Sequence, residues 1–175
     1  KTEKAVDDAF DYAKNVGAPL TARLANTECV HSTEQKVKAY NIRLAVHNHG
    51  PEDKLYPAPK NAYDLIKNRD ERIGLCLDIG HSTRAGEEPW KAVLDYRKRI
   101  FDLHMKDVTA AVRDGKAIEI GRGIIDFKKL TDSLDKIGYQ GVCSIEFEKD
   151  MSDPLPGIAE SVGYLSGVIN TVNRG

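Results

Sequence analysis

Between residues 4 and 16 the apolar positions Val6, Ala9, Phe10, Ala13 and Val16 recur at three- and four-residue spacing, and Gly17 follows. That period predicts an amphipathic helix closed by a glycine at its C-terminal end. The pattern then alternates. "PLTARLA" (19–25) reads as a short strand, "TEQKVKAYN" (33–41) as part of a helix, and "IRLAVHN" (42–48) as a strand. A helix over about 60–69, a strand over 73–78 and a helix opening near Pro89 come next. Strand 100–106, a long loop through "DGKAIEIGRG", a helix over about 126–137, strand 141–147 and a helix from about 157 to 172 complete the chain.

Strands that alternate with helices predict βαβ units and a parallel sheet. The strand interiors are nearly continuously apolar, the pattern of strands covered on both faces. About five strands are visible, whereas a closed barrel of eight β/α units typically needs about 250 residues. The expected fold is therefore α/β, a partial parallel barrel of TIM type. Residues 1–175 are read as a single domain lacking its first three β/α units. An open doubly wound sheet is the alternative. The chain opens on Lys1, inside a helical pattern and without an initiator Met, which is read as a fragment or processed piece.

Composition narrows the function classes. The 26 basic and 27 acidic residues leave a formal charge of −1, so there is no broad electrostatic footprint for nucleic acid or anionic lipid. No apolar run approaches the roughly 18 residues of a membrane helix. Cys29, Cys76 and Cys143 are odd in number and unclustered, and two lie in apolar runs. They are read as reduced core residues of a cytoplasmic protein.

The strand ends carry the chemistry. His47 and His49 end the second strand, Asp78 and His81 the third, His104, Lys106 and Asp107 the fourth, and Glu146 and Glu148 the fifth. Residues i and i+2 of a strand share a face. In parallel β/α folds, moreover, all carboxyl ends emerge on the side where ligands bind. Any one of these residues alone can be a cap or a satisfied surface group; imidazoles and acids at four consecutive strand ends are read as a site. Such a donor set suits one divalent ion among Mn, Zn, Co, Mg and Fe. "GRG" (121–123) lacks the context of a phosphate loop and is read as a flexible loop. Arg122 is read as solvated charge and Lys106 as a site residue.

The runs "HNHGPEDKLYP", "LCLDIGH", "IFDLHMKDV", "GRGIIDFKKLTDSLDKIGYQGVCSIEFEKD" and "DPLPGIAES" resemble the sugar phosphate isomerase/epimerase group of xylose-isomerase-like barrels, from about Ile42 onward. The resemblance implies one divalent metal, with Asp78, His104 and Glu146 as ligands and His81 in contact with substrate. Epimerases of this group carry a Glu on the fifth barrel strand, and here that place falls on His47. The histidines there, with "HxKD" on the seventh barrel strand, look closer to the keto-inositol dehydratase branch. The expected activity is isomerisation or epimerisation of a sugar or sugar phosphate. It proceeds by proton abstraction next to a carbonyl through an enediolate, with Glu146 or Glu148 taking the proton, His49 or His81 returning one, and Lys106 neutralising charge. A dehydratase acting on a keto-inositol or oxidised sugar is the first alternative, and a non-catalytic carbohydrate-binding barrel or partner subunit the second. A phosphodiesterase is disfavoured by the balanced charge. The expected partners are a small sugar-like molecule and either a second copy of the chain or a missing N-terminal segment. The exposed edges would then be 19–25 and 141–147.

Overall fold

The computed structural model describes residues 3–22 and 29–172. Its centre is one parallel sheet, in which β1 (Leu20–Ala22), β2 (Arg43–His47), β3 (Ile73–Asp78), β4 (Ile100–Met105) and β7 (Val142–Ile145) lie side by side in that order. The order follows the chain without reversing. A doubly wound sheet reverses its strand order at a switch point, so the open-sheet alternative falls away. The fold is a five-stranded part of a β/α barrel.

Register decides which side chains face which way. His47 lies opposite Cys76, and Asp78 opposite His104, so these four share the inner face. Their neighbours Leu44, Val46, Ile73 and Leu75 turn outward. There they pack with Phe10 of α1 (Glu3–Asn15), Val37 of α2 (Val30–Tyr40), and Ala62 and Ile66 of α3 (Pro59–Ile66). A second outer cluster joins Leu77, Leu103 and Met105 to Val93 of α5 (Pro89–Tyr96), Phe127 and Leu130 of α6 (Phe127–Lys136), and Leu165 of α7 (Leu155–Val172). Each such buried aliphatic or aromatic side chain contributes on the order of 1.5–3 kcal/mol. The strands are thus held from the helical side, and their inner face is left for polar groups.

The local signals behave as their chemistry requires. Gly17 takes a positive φ of 70° after α1, Pro89 opens α5, and the Asp126 carboxylate accepts the Lys129 N–H at 2.9 Å to cap α6. Helix α2, expected to include residues 33–41, runs from Val30 to Tyr40. Three features depart from the expected pattern. A short helix α4 (Ile79–Arg84) follows β3 at once, and the long loop contains a small antiparallel pair, β5 (Asp107–Val108) with β6 (Ala117–Ile118). Six helical residues and two-residue strands are too short to show a period. Cys29 and Cys76 are buried, but Cys143 is exposed despite its apolar run, because among the described residues β7 pairs with β4 alone and is left partly uncovered. Of the expected first strand, residues 23–25 lie outside the described residues. No helix among the described residues is long and apolar enough to cross a membrane.

Candidate metal centre at the strand ends

Four side chains from four strand ends meet on the inner face. His47 Nε2 lies 2.9 Å from His104 Nδ1 and 3.7 Å from Asp78 Oδ2. His104 Nδ1 is in turn 3.1 Å from Glu146 Oε1. One ligand-type atom from each of the four lies within 4.8 Å of the others. Metal–ligand bonds of 2.0–2.2 Å place tetrahedral donors roughly 3.3–3.6 Å apart and octahedral neighbours roughly 2.9–3.1 Å apart, so small side-chain adjustments suffice. The fit has an independent sign: Asp78 Oδ2 is fully buried and has no hydrogen bond. The Lys106 ammonium 3.1 Å away offsets its charge without forming a hydrogen bond, and a divalent cation would supply the direct partner that a buried carboxylate oxygen requires.

Asp78 is held in place by its other atoms. Oδ1 accepts the His81 N–H at 2.7 Å and so caps α4. Asn48, 1% exposed, accepts the Asp78 N–H at 3.0 Å and donates to its carbonyl at 3.0 Å. Asn48 was not among the expected site residues. Its only signal is a polar residue between two histidines, where strand alternation would place an apolar one. Gly80 has its own reason: a Cβ there would lie 2.8–3.0 Å from the Lys106 stem. The glycine leaves the space through which Lys106 enters.

Lys106, its side chain 2% exposed, sits among three carboxylates. Nζ lies 3.1 Å from Asp78 Oδ2, 3.0 Å from Glu146 Oε2 and 3.0 Å from Glu148 Oε2. Burial alone would lower its pKa, but Asp78, Glu148 and Glu146 outweigh that and raise it, so it stays cationic. Burial likewise opposes ionisation of Asp78, yet His47, Lys106 and His81 hold its pKa below the usual value. The hydrogen bond from His104, then Lys106, holds the Glu146 carboxyl far below the carboxylate range. Glu146 raises His104 in return. Burial lowers the pKa of His81.

The remaining expected residues are placed differently. β2 ends at His47, so His49 no longer follows strand alternation. Its side chain is 42% exposed, with Nδ1 3.4 Å from Asp53 Oδ2, although its ring stays 4.4 Å from that of His47. His81 lies at the cluster, with Nε2 3.9 Å from Asp78 Oδ2. Asp107 is no rim residue: fully buried, its carboxylate accepts the backbone N–H groups of Val108, Gly121, Gly123 and Ile125 at 2.8–3.2 Å. The "GRG" segment, expected to be flexible, is therefore pinned. Arg122 points outward to Glu160, and Lys149 pairs with Glu119 at 2.7 Å. Beneath the cluster, Cys76 groups with the same two histidines; its thiol is 3.6 Å from Asp102 Oδ2.

Comparison with known proteins agrees with this architecture. Residues 4–167 match the family described as Xylose isomerase-like TIM barrel. Among curated relatives, the rhizopine catabolism protein MocC of Rhizobium meliloti is 27% identical over 145 residues, covering 74% of this chain and 44% of that protein. An inosose dehydratase of Klebsiella pneumoniae (strain 342) is 36% identical over 113 residues, covering 54% of this chain and 36% of that protein. The chain thus matches less than half the length of either relative. Among solved structures, a D-tagatose 3-epimerase-like protein superposes with a TM-score of 0.82 at 21% identity, over 98% of this chain and 70% of that one. The IOLI protein, solved with a bound zinc atom, gives 0.76 at 17% identity, over 97% and 70%. With the family match spanning nearly all of it, the chain belongs to the xylose isomerase-like TIM barrel family.

Proposed function

We propose that the protein removes a proton from the carbon beside the carbonyl of a keto-polyol or related sugar and expels a neighbouring hydroxyl as water. One divalent cation would be held by His47, Asp78, His104 and Glu146. The observation that carries this reading is the asymmetry of the rim. The imidazole of His47 ends β2, those of His49 and His81 stand just after β2 and β3, carboxylates of Glu146 and Glu148 follow β7, and buried Lys106 lies among the carboxylates. A reaction needing two equivalent carboxylates finds only one side supplied; a reaction needing one base and one different acid finds both.

The bound cation would supply Lewis-acid polarisation of the substrate carbonyl, an effect worth several kcal/mol. Glu146 is committed at both oxygens, to His104 and Lys106, and its depressed pKa makes it a weak base. Glu148, paired with Lys106 through Oε2 but 53% exposed, is the more accessible carboxylate, and it takes the proton. Lys106 stays charged and offsets negative charge building on the substrate oxygen. His49, open to solvent beside Asp53, protonates the departing hydroxyl. The naming of a relative as an inosose dehydratase supports this outcome. Return of the proton to carbon instead gives epimerisation, the reading that the epimerase-like neighbour favours.

The test is a panel of an inosose and several ketoses in D2O, with Zn²⁺, Mn²⁺ or chelator. The expected result is metal-dependent exchange of the proton next to the carbonyl, loss of one water by mass spectrometry, and neither in Glu148→Gln. Exchange with stereochemical change and no water loss would select the epimerase reading. Absence of exchange on every substrate with every metal would refute both.

A further inference from the structure

Arg84 closes α4, three residues after His81, and its side chain is only 14% exposed. Its guanidinium reaches three places. Nη2 pairs with Glu52, on the segment between β2 and α3, and with the Arg113 carbonyl, on the turn between β5 and β6. Nε donates to the same carbonyl at 3.1 Å. Nη1 lies 3.4 Å from His81 Nδ1. Gly50, at φ 88°, brings its backbone against the same edge of the ring; a Cβ there would lie 3.0 Å from His81 Nδ1 and 3.2 Å from Glu52 Oε2.

A guanidinium carries donors only and stays protonated in proteins. The ring nitrogen that faces it must therefore be an acceptor, which leaves Nε2 to carry the ring hydrogen. Nε2 lies on the cluster side, 3.9 Å from Asp78 Oδ2 and so too far to be hydrogen-bonded there. We propose that Arg84, braced by Glu52, is a positioning residue that locks His81 in its Nε2–H tautomer and so presents it as a hydrogen-bond donor to a substrate oxygen. The same side chain ties the segment after β2 to the β5–β6 turn across the rim. Only the role toward substrate rests on the proposed function; the tautomer does not.

The experiment is long-range ¹H–¹⁵N correlation on the full chain labelled at histidine, with His81 assigned by its loss in His81→Gln. Two variants carry the test. Arg84→Met removes the donor. The exchanged pair Glu52→Arg with Arg84→Glu keeps an ion pair but turns an acceptor toward the ring. The expected wild-type pattern is unprotonated Nδ1 with protonated Nε2, a mixture in Arg84→Met, and protonated Nδ1 in the exchanged pair. On substrate, Arg84→Met should lose about tenfold in kcat/KM, the effect of one hydrogen bond, with metal content unchanged and partial recovery in Arg84→Lys. Protonated Nδ1 in the wild type, or unprotonated Nδ1 in both the wild type and the exchanged pair, overturns the lock. Should Arg84→Met fail to fold, Glu52→Gln loosens the same guanidinium from an exposed position and is read by the same shifts. A protein that shows the lock but exchanges no substrate proton counts against the proposed reaction alone.

Discussion

Replacing Lys106 by Met removes the positive charge from among three carboxylates while keeping most of the stem that packs over Gly80. The carboxylate most affected is Asp78, which is 0% exposed and 3.1 Å from Nζ. Breaking a buried ion pair destabilises by about 3–5 kcal/mol, because the remaining charge is left in a dry site. The low end applies here, since His47 and His81 stay 3.7 and 3.9 Å from Asp78 Oδ2 and Oδ1 keeps its cap to the His81 N–H. Glu146 and Glu148 are 38% and 53% exposed and add little after solvent screening. In chelator the variant should thus lose about 3 kcal/mol, or about 6–12 °C in Tm for a chain of this size. A divalent cation would bind the same Asp78 and Glu146 carboxylates that Lys106 occupies, so the ammonium and the metal compete. Metal at a hundredfold over Kd stabilises by about 2.7 kcal/mol, and the stabilisation should be larger in Lys106→Met than in the wild type. Thermal melts of both proteins, with chelator and with Zn²⁺ or Mn²⁺, measure this difference. Equal Tm values in chelator, or equal gains on adding metal, would refute the competition.

Glu146→Gln should keep the far-ultraviolet circular dichroism of the fold but bind metal at least tenfold more weakly and exchange no substrate proton; isothermal titration and the D2O assay decide. Asn48→Ala should cost about 2 kcal/mol in urea unfolding, because the Asp78 N–H and carbonyl lose buried partners. In the chelated protein, the raised pKa of His104 contributes stability that is complete below its ordinary 6.5 and lost as pH rises through the raised value. The depressed pKa of Glu146 contributes stability that is complete above its ordinary 4.5 and lost as pH falls through the lowered value. The stability added by these two groups should therefore be greatest between about pH 4.5 and 6.5, so the urea midpoint of His104→Gln should fall furthest below that of the wild type in this window and approach it as pH rises. Among the described residues β1 and β7 each have one neighbour in the sheet, and Val142 is 64% exposed. Sedimentation should therefore show self-association that Val142→Lys weakens, and a monodisperse monomer at high concentration would count against it.

The parallel sheet was legible because its strands are short apolar runs and its helices have a clear period. That imidazoles and carboxylates gather at one rim was legible from strand ends, since parallel strands of a barrel leave their carboxyl ends together; the choice of Asp78, His104 and Glu146 among them came from the family resemblance. What could not be read was set by single side chains bonding to distant backbone. Asp107 looks like another rim acid, yet its four N–H partners come from residues 108 and 121–125, a contact no periodicity encodes. Arg84 looks like surface charge on an unassigned loop, and becomes significant only once α4 turns it toward Glu52 and His81. His49 reaches the rim from a loop and not from the strand that the spacing implied. Its i+2 spacing from His47 matters only while the strand continues, and β2 stops at His47.

The segment Asp78–His81 shows why stability and chemistry are hard to separate here. Asp78 uses Oδ1 to start α4 and leaves Oδ2 for the cluster; Ile79 is fully buried in the outer core; Gly80 makes room for Lys106; His81 carries the N–H that caps back to Asp78. An Asn at position 78 could still cap the helix. It would bring no negative charge to offset the ammonium of Lys106, and its second oxygen site would become an amide donor with nothing to accept it. A Glu would carry the charge, but its extra methylene would displace either the cap or the ligand oxygen. The shortest acidic side chain is the one that can hold a helix start with one oxygen and face a cation with the other, which is why this buried strand finishes on an aspartate.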